Sequence, residues 1–222
     1  MSFNLEAENI SKHYSHPQRV DVLKNISLSV KPAESIAIMG SSGEGKTTLL
    51  SILGLLERPD EGVIKLDSAD VNFSNAAKLR NEKIGFIFQD YNLLEDFTVL
   101  DNIIFPARVG RKNLKASANR AEKYIELVGL GHRKGFQAKF LSGGEKQRAS
   151  IARAFCNDPD VILADEPSGN LDHANSKIIQ ELLLSITKKE QKSLIIATHD
   201  LKLANMCDKI FELKDGFLFQ IS

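Results

Sequence analysis

The chain has no surplus of either charge, no cysteine pair, no long apolar run and no internal repeat or low-complexity tract, and each absence removes a class of function. Its 29 basic and 29 acidic residues cancel. No net field draws the whole molecule onto nucleic acid or an anionic lipid surface, so no nucleic-acid partner is expected and any such contact is a local patch. Cys156 and Cys207 are far apart, form no C-x-x-C and sit among apolar residues, where a free cysteine behaves as a small core hydrophobe. No window approaches the roughly 18 charge-free apolar residues that span a bilayer, and Met1 to Lys12 lacks the basic-then-apolar order of a secretory signal. A cytosolic chain, free to dock on a membrane partner, is the expectation.

What is present is ordinary globular composition: 222 residues, 42% hydrophobic and 26% charged. That length predicts one domain with a sizeable insertion. Near the N-terminus Phe3, Leu5 and Ala7 alternate with polar residues, as do Ile26, Leu28 and Val30, which is the period of half-buried antiparallel strands. Ile36 to Met39, Ile84 to Phe88, Val161 to Ala164 and Leu194 to Ala197 are apolar throughout, as in parallel strands covered on both faces. Helical stripes lie between them at Lys46 to Leu56 and Asp172 to Lys189. The expected core is therefore α/β, a mainly parallel sheet with an N-terminal antiparallel layer. From Asn92 to about Asn157 the alternation breaks into helical pattern, clearest over Leu114 to Val128. The expected division is a core of residues 1–91 and 158–222 with an inserted helical subdomain at 92–157. Ile210 to Leu213, Asp215-Gly216 and Phe217 to Ile221 read as a terminal hairpin.

Gly40-Ser41-Ser42-Gly43-Glu44-Gly45-Lys46-Thr47 fits G-x-x-x-x-G-K-[ST] between an apolar strand and a helix, the context that gives the motif its meaning. Glycines let backbone N–H groups approach the β-phosphate of a nucleotide, and the helix N-terminus adds roughly half a positive charge. Lys46 bridges β and γ phosphates, the Thr47 hydroxyl is a Mg²⁺ ligand, and Thr48 completes the binding run. A glycine-rich turn would match by chance in about 1% of chains of this length. The loop alone does not separate kinases, GTPases and ATPases.

Val161 to Ala164 ends in Asp165-Glu166, two acids at the carboxyl edge of the expected sheet, where open α/β folds bind ligands. Alternation along a strand aims them differently, Asp165 to Mg²⁺ and Glu166 to the attacking water. Taken without the loop, a solvated strand end explains them as well. Leu141-Ser142-Gly143-Gly144-Glu145-Lys146-Gln147-Arg148 opens a further helix, with Ser142 as N-cap and Glu145 completing a capping box. Two glycines weaken a first turn, so capping alone does not account for them; they leave N–H groups open to an anion.

This set resembles the ATP-binding subunits of ABC transporters, whose signature is LSGGQ or a near variant. The resemblance runs the whole chain in order: the Walker A loop at Gly40, FQDYNLL at Phe88 to Leu94, LSGGEKQR at Leu141, DEPSGNLD at Asp165 to Asp172, and ATHD at Ala197 to Asp200. It implies the ABC ATPase fold and roles by position. Tyr14 stands where an aromatic stacks on adenine. Gln89 is placed to reach Mg²⁺ and the attacking water, His199 to contact the γ-phosphate, and Asp172, also a sufficient helix N-cap, to cross to a partner subunit. On residue type alone Tyr14 is a surface tyrosine, Gln89 a polar strand end and His199 a structural histidine.

The resemblance further implies a head-to-tail dimer with a second copy, each ATP lying between one chain's Lys46, Thr47, Asp165 and Glu166 and the other's Ser142, Gly143 and Gly144. It implies a separate integral membrane permease subunit, received near Asn92 to Val109, and a place on the inner face of the cell membrane. FQDYNLL and GNLD are most similar to the group of lipoprotein-release, macrolide-efflux, cell-division and peptide-resistance ATPases, and Glu95 to Val99 leans toward its lipoprotein-release member. Two rivals remain at this point: a soluble ABC ATPase acting on ribosomes or DNA, and a nucleotide-gated module with little turnover. The first lacks its usual second ATPase half or coiled-coil insert here, and intact Glu166 and His199 argue against the second. Three departures stand out. Glu44 puts a charge in the phosphate loop without a reason in the sequence, Glu145 replaces the usual glutamine, and Ser168 stands where threonine is common.

Overall fold

Four strands with apolar interiors build the centre of the molecule. The computed structural model describes residues 4–15 and 18–221, so Phe3 of the first strand pattern lies outside the described residues. The strands β3 (Ser35–Met39), β6 (Ile84–Ile87), β7 (Val161–Asp165) and β8 (Ser193–Ala197) run parallel. With the hairpin β9 (Lys209–Lys214) and β10 (Phe217–Gln220) they form one sheet of order β10-β9-β3-β8-β7-β6. Alternation along β7 and β8 divides their side chains between two cores. Val161, Leu163, Ile195 and Ala197 join one core, and Ile162, Ala164, Leu194 and Ile196 join the other. Both faces are dry, which is why these segments carry no polar alternation.

The first core lies under α1 (Lys46–Leu53) and the antiparallel sheet of β1 (Leu5–Tyr14), β2 (Val20–Val30), β4 (Glu61–Leu66) and β5 (Ala69–Asp70), in the order β2-β1-β4-β5. The second lies under helices that occupy the connection from β6 to β7 and the segment after it. These are α3 (Val99–Val109), α4 (Leu114–Leu127), α5 (Gly143–Phe155) and α6 (His173–Lys189). α2 (Ala76–Lys83) and α7 (Leu201–Ala204) are short. The mixed α/β fold, its antiparallel layer and its helical insertion match the expectation. Cys156 is buried and Cys207 half-buried, and burial pushes the Cys156 thiol up to about 11 and the Cys207 thiol up to about 12.

Three local features differ from the sequence reading. The helix after the phosphate loop stops at Leu53: Gly54 leaves helical conformation, Leu55 turns left-handed at φ of 56°, and Leu56 is half exposed; Gly54 also packs where a Cβ would meet the Phe86 ring at 2.7 Å. β4 and β5 were not anticipated, because their turn is Asp67-Ser68, with φ of 50° and 63° but no glycine to mark it. On α6, Ile178 belongs to the apolar pattern yet is 52% exposed, whereas Ile179, Leu183 and Ile186 are buried.

Ile195 is fully buried at the centre of β8. Truncation to alanine (Ile195→Ala) is expected to cost about 2–5 kcal/mol, seen as a lower urea midpoint with an unchanged slope.

Candidate active site

The parallel order delivers the carboxyl ends of β3, β8, β7 and β6 to one edge, and a cleft of about 750 Å³ opens there. Each strand end contributes: the loop after β3, Thr198 and His199 after β8, Asp165 and Glu166 from β7, and Gln89 after β6. The cleft is lined by Ser41 to Gly43, Gly45 to Thr48, Gln89, Asp165, Glu166 and His199, with Val22 of β2 at one side. It brings together residues as far apart in sequence as 22 and 199.

The loop owes its shape to two glycines. Gly43 and Gly45 have φ of 89° and 100°, a region that favours glycine. A Cβ on Gly45 would also meet Val22 Cγ1 at 2.6 Å. Gly45 is the N-cap of α1 and offers no side-chain cap, so the first N–H groups of the helix are left for a ligand. Lys46 is only 8% exposed. Its Nζ donates to the carbonyls of Gly40 at 2.7 Å and Ser41 at 3.1 Å and lies 4.0 Å from Glu166 Oε1.

Asp165 is buried, and burial raises its carboxyl above the ordinary range; the Thr47 hydroxyl hydrogen-bonded to it and the charge of Lys46 oppose the rise, while Glu166 adds to it. Glu166 sits one residue beyond the end of β7 with φ of 42°, unusual for a non-glycine residue. Strand alternation does not set the two acids apart, because Glu166 lies beyond β7 in a left-handed turn, and both Asp165 and Glu166 line one cleft. Glu166 N donates to Ala197 O at 2.9 Å, Thr198 Oγ1 donates to Glu166 Oε2 at 3.3 Å, and Glu166 Oε1 lies 2.9 Å from His199 Nδ1. The His199 ring is otherwise open to solvent.

Gln89 donates from Nε2 to Asn170 Oδ1 at 3.3 Å, and Asn170 returns a bond to the Gln89 carbonyl at 3.1 Å. The next turn is held from α5: Arg153 donates to the carbonyls of Tyr91 and Asn92, both at positive φ. Burial lowers the Arg153 guanidinium to about 10. The sequence assigns no role to Val22, Thr198, Asn170 or Arg153, although Thr198 and Asn170 lie inside the ATHD and DEPSGNLD runs.

Gly40, at the start of the loop, and three further sequence-selected groups are absent from the lining of this cleft. Ser142, Gly143 and Gly144 are not among its lining residues. Ser142 caps α5, with both halves of the capping box formed, and Glu145 also accepts from Arg133 Nε at 3.0 Å. Burial works against the Glu145 charge, but the bonds from Ser142 and Arg133 prevail and lower its pKa. A Cβ on Gly143 would stand 3.1 Å from Tyr91 Oη and one on Gly144 3.2 Å from Asn175 Oδ1, tight contacts to side-chain tips that need yield by only a few tenths of an ångström, so packing alone does not demand glycine at either position. Tyr14 ends β1 beside Thr48, bonding the Glu57 carboxylate at 2.9 Å with Lys12 Nζ 5.5 Å from its ring. Asp172 caps α6 through Asn175 N at 3.0 Å.

A strand, a glycine loop with free helix N–H groups, a buried lysine and two acids at a parallel-sheet edge define a nucleoside-triphosphate-binding P-loop protein. A hydroxyl, a carboxylate and an amide are hard oxygen ligands suited to Mg²⁺, which keeps waters and phosphate oxygens as its other ligands. Among the described residues no group of three or more His, Cys, Asp or Glu could hold a metal alone. The family described as ABC transporter matches residues 23–169, and the chain belongs to that family as an ATP-binding cassette. It is 48% identical to the lipoprotein-releasing system ATP-binding protein LolD of Protochlamydia amoebophila (strain UWE25), covering 97% of this chain and 96% of that one. It is 43% identical to the protein of the same name from Cytophaga hutchinsonii, over 96% and 98%. The dimeric structure of MJ0796, a bacterial ABC transporter cassette, superposes with a TM-score of 0.87 at 34% identity, covering 96% of each chain. A dimeric post-hydrolysis state of the same cassette with ADP and Pi gives 0.88 at 33%, over 98% and 99%.

Gly45→Ala places a Cβ against Val22 at positive φ. It is expected to weaken ATP binding at least about tenfold, the size of one strained residue, as measured by calorimetric titration of the full chain.

Proposed function

We propose that the chain is the ATP-hydrolysing subunit of a lipoprotein-release transporter, working as a head-to-tail dimer beneath a separate integral membrane permease on the cytoplasmic face of the membrane. One observation carries the dimer. The capped, glycine-fronted N-terminus of α5 lies outside the cleft that holds Lys46 in its own chain. In this reading Ser142, Gly143 and Gly144 serve the ATP bound to the second copy. The names of the relatives at 48% and 43% identity support lipoprotein release. Among the described residues no helix is long and apolar enough to cross a membrane, which agrees with a separate permease.

In this reading the α- and β-phosphates of ATP lie against the N–H groups of Gly43 to Thr48, with Ser41 and Ser42 at the loop's entry and Tyr14 stacked on adenine. Lys46 leaves the carbonyls of Gly40 and Ser41 for the β and γ phosphates, trading two neutral acceptors for charged ones. Thr47, Asp165 and Gln89 would hold Mg²⁺, which supplies charge neutralisation at the phosphates. Glu166 orients the attacking water and takes its proton as the γ-phosphoryl departs. His199, bonded to Glu166, fixes that carboxylate and meets the γ-phosphate with its exposed ring edge. Residues 92–157 form the unit that couples the site to the permease, and Arg153 links its signature helix to the turn after Gln89.

Glu166→Gln removes the base and is expected to lower turnover about 10²-fold or more while ATP still binds, as read by steady-state phosphate release and by retention of an ATP-bound dimer. Wild-type turnover would refute the role. Lys46→Ala and Ser142→Arg chains, each inactive alone, are expected to regain phosphate release when mixed, because one intact loop then meets one intact signature. A mixture as inactive as its parents would place both elements in one chain's site.

A further inference from the structure

Glu44 is the one residue of the run Ser41 to Thr48 absent from the cleft lining. Its carboxylate turns to the outer side of the loop, where Oε2 accepts the backbone N–H of Asp215 at 2.9 Å. Asp215 and Gly216, with φ of 51° and 83°, form the turn between β9 and β10. The same turn is gripped from its other side by Lys24 of β2: Lys24 Nζ donates to Asp215 O at 3.0 Å and Lys24 N to Gly216 O at 2.8 Å. The hairpin also abuts the first residue of the loop, since a Cβ on Gly40 would stand 2.6 Å from Leu213 O. The C-terminal hairpin thus meets the phosphate loop at Gly40 and at Glu44, on either side of Gly43.

We propose that Glu44 is a positioning residue for ATP: it braces the phosphate loop against the C-terminal hairpin and so holds the N–H groups of Gly43 to Lys46 in the geometry that receives the phosphates. Position favours this over a charge role. A carboxylate two residues from Lys46 opposes a polyphosphate through space, so what it contributes to binding is its acceptor oxygen and not its charge. The bond also accounts for a residue that neither the phosphate-loop chemistry nor the helix start requires. A loop already held in its receiving shape loses less conformational freedom when ATP arrives. The proposal rests on the reading of this loop as the ATP site.

Three measurements on the full-length chain test it. Glu44→Ala is expected to weaken ATP affinity about 3- to 10-fold, the worth of one hydrogen bond, raising KM while leaving kcat within about twofold. Glu44→Gln keeps an acceptor for the Asp215 N–H without the charge and is expected to match or exceed wild-type affinity. Amide hydrogen exchange at Asp215 is expected to be slow in wild type and Glu44→Gln and fast in Glu44→Ala, which reads the brace in the folded chain independently of turnover. Wild-type affinity in Glu44→Ala, loss of affinity in Glu44→Gln equal to that in Glu44→Ala, or fast Asp215 exchange in wild type would each overturn the proposal. Failure of the wild-type chain to bind ATP at all would instead overturn the reading of the loop.

Discussion

The parallel pairing of β3, β8, β7 and β6 is the constraint on which the rest depends. Parallel strands place all their carboxyl ends at one edge, and here the residues at or just beyond those ends line the cleft. Register carries this to the atom. Ile38 pairs with Ala197, and Asp165 pairs with Ala197 from the other side, so the phosphate loop, the Thr198-His199 pair and the acids begin at one level. The backbone bonds of Thr198 N to Ile38 O and Glu166 N to Ala197 O extend that alignment just past the sheet. A shift of one residue in either pairing would turn these side chains to the opposite face.

Charge burial at this edge is tolerated because it is distributed. Lys46 and Asp165 are each 8% exposed, and an isolated charge so placed would be strongly disfavoured. Lys46 is held by two carbonyls with Glu166 at 4.0 Å, so its ammonium is satisfied without a tight ion pair. That arrangement leaves the lysine free to exchange acceptors. Asp165 carries the opposite tension: burial disfavours its charge, so a cation beside it and the Thr47 hydroxyl would relieve the penalty. The site is poised for a charged ligand before one arrives.

The helical insertion communicates with this edge through backbone carbonyls rather than ion pairs. Arg153 reaches from α5 to the carbonyls of Tyr91 and Asn92; the core adds its own bond, with Asn170 reaching from the turn before α6 to the carbonyl of Gln89. Gly143 lies close under the Tyr91 hydroxyl. Movement of α5 therefore bears directly on the segment that carries Gln89. The capping box at Ser142 and Glu145 fixes the start of that helix.

Much of this was legible in residue order alone. The four apolar strand runs, the glycine loop, the acids closing β7 and the capped helix α5 follow from local rules of period, φ preference and capping, so the α/β class and the residues proposed for the phosphate site could be picked out without coordinates. The turn at Asp67-Ser68 could not, because non-glycine residues there adopt a left-handed conformation that only the surrounding sheet imposes. Nor could the left-handed turn at Glu166, the reach of Arg153 or the bond from Glu44 to Asp215. Each joins groups 61 to 171 residues apart or stores local strain that distant packing sustains. Sequence determined which chemistry is carried, since phosphate binding and capping depend on near neighbours. Tertiary structure decided how that chemistry is aimed, because a contact across the fold depends on where the sheet brings two strand ends together.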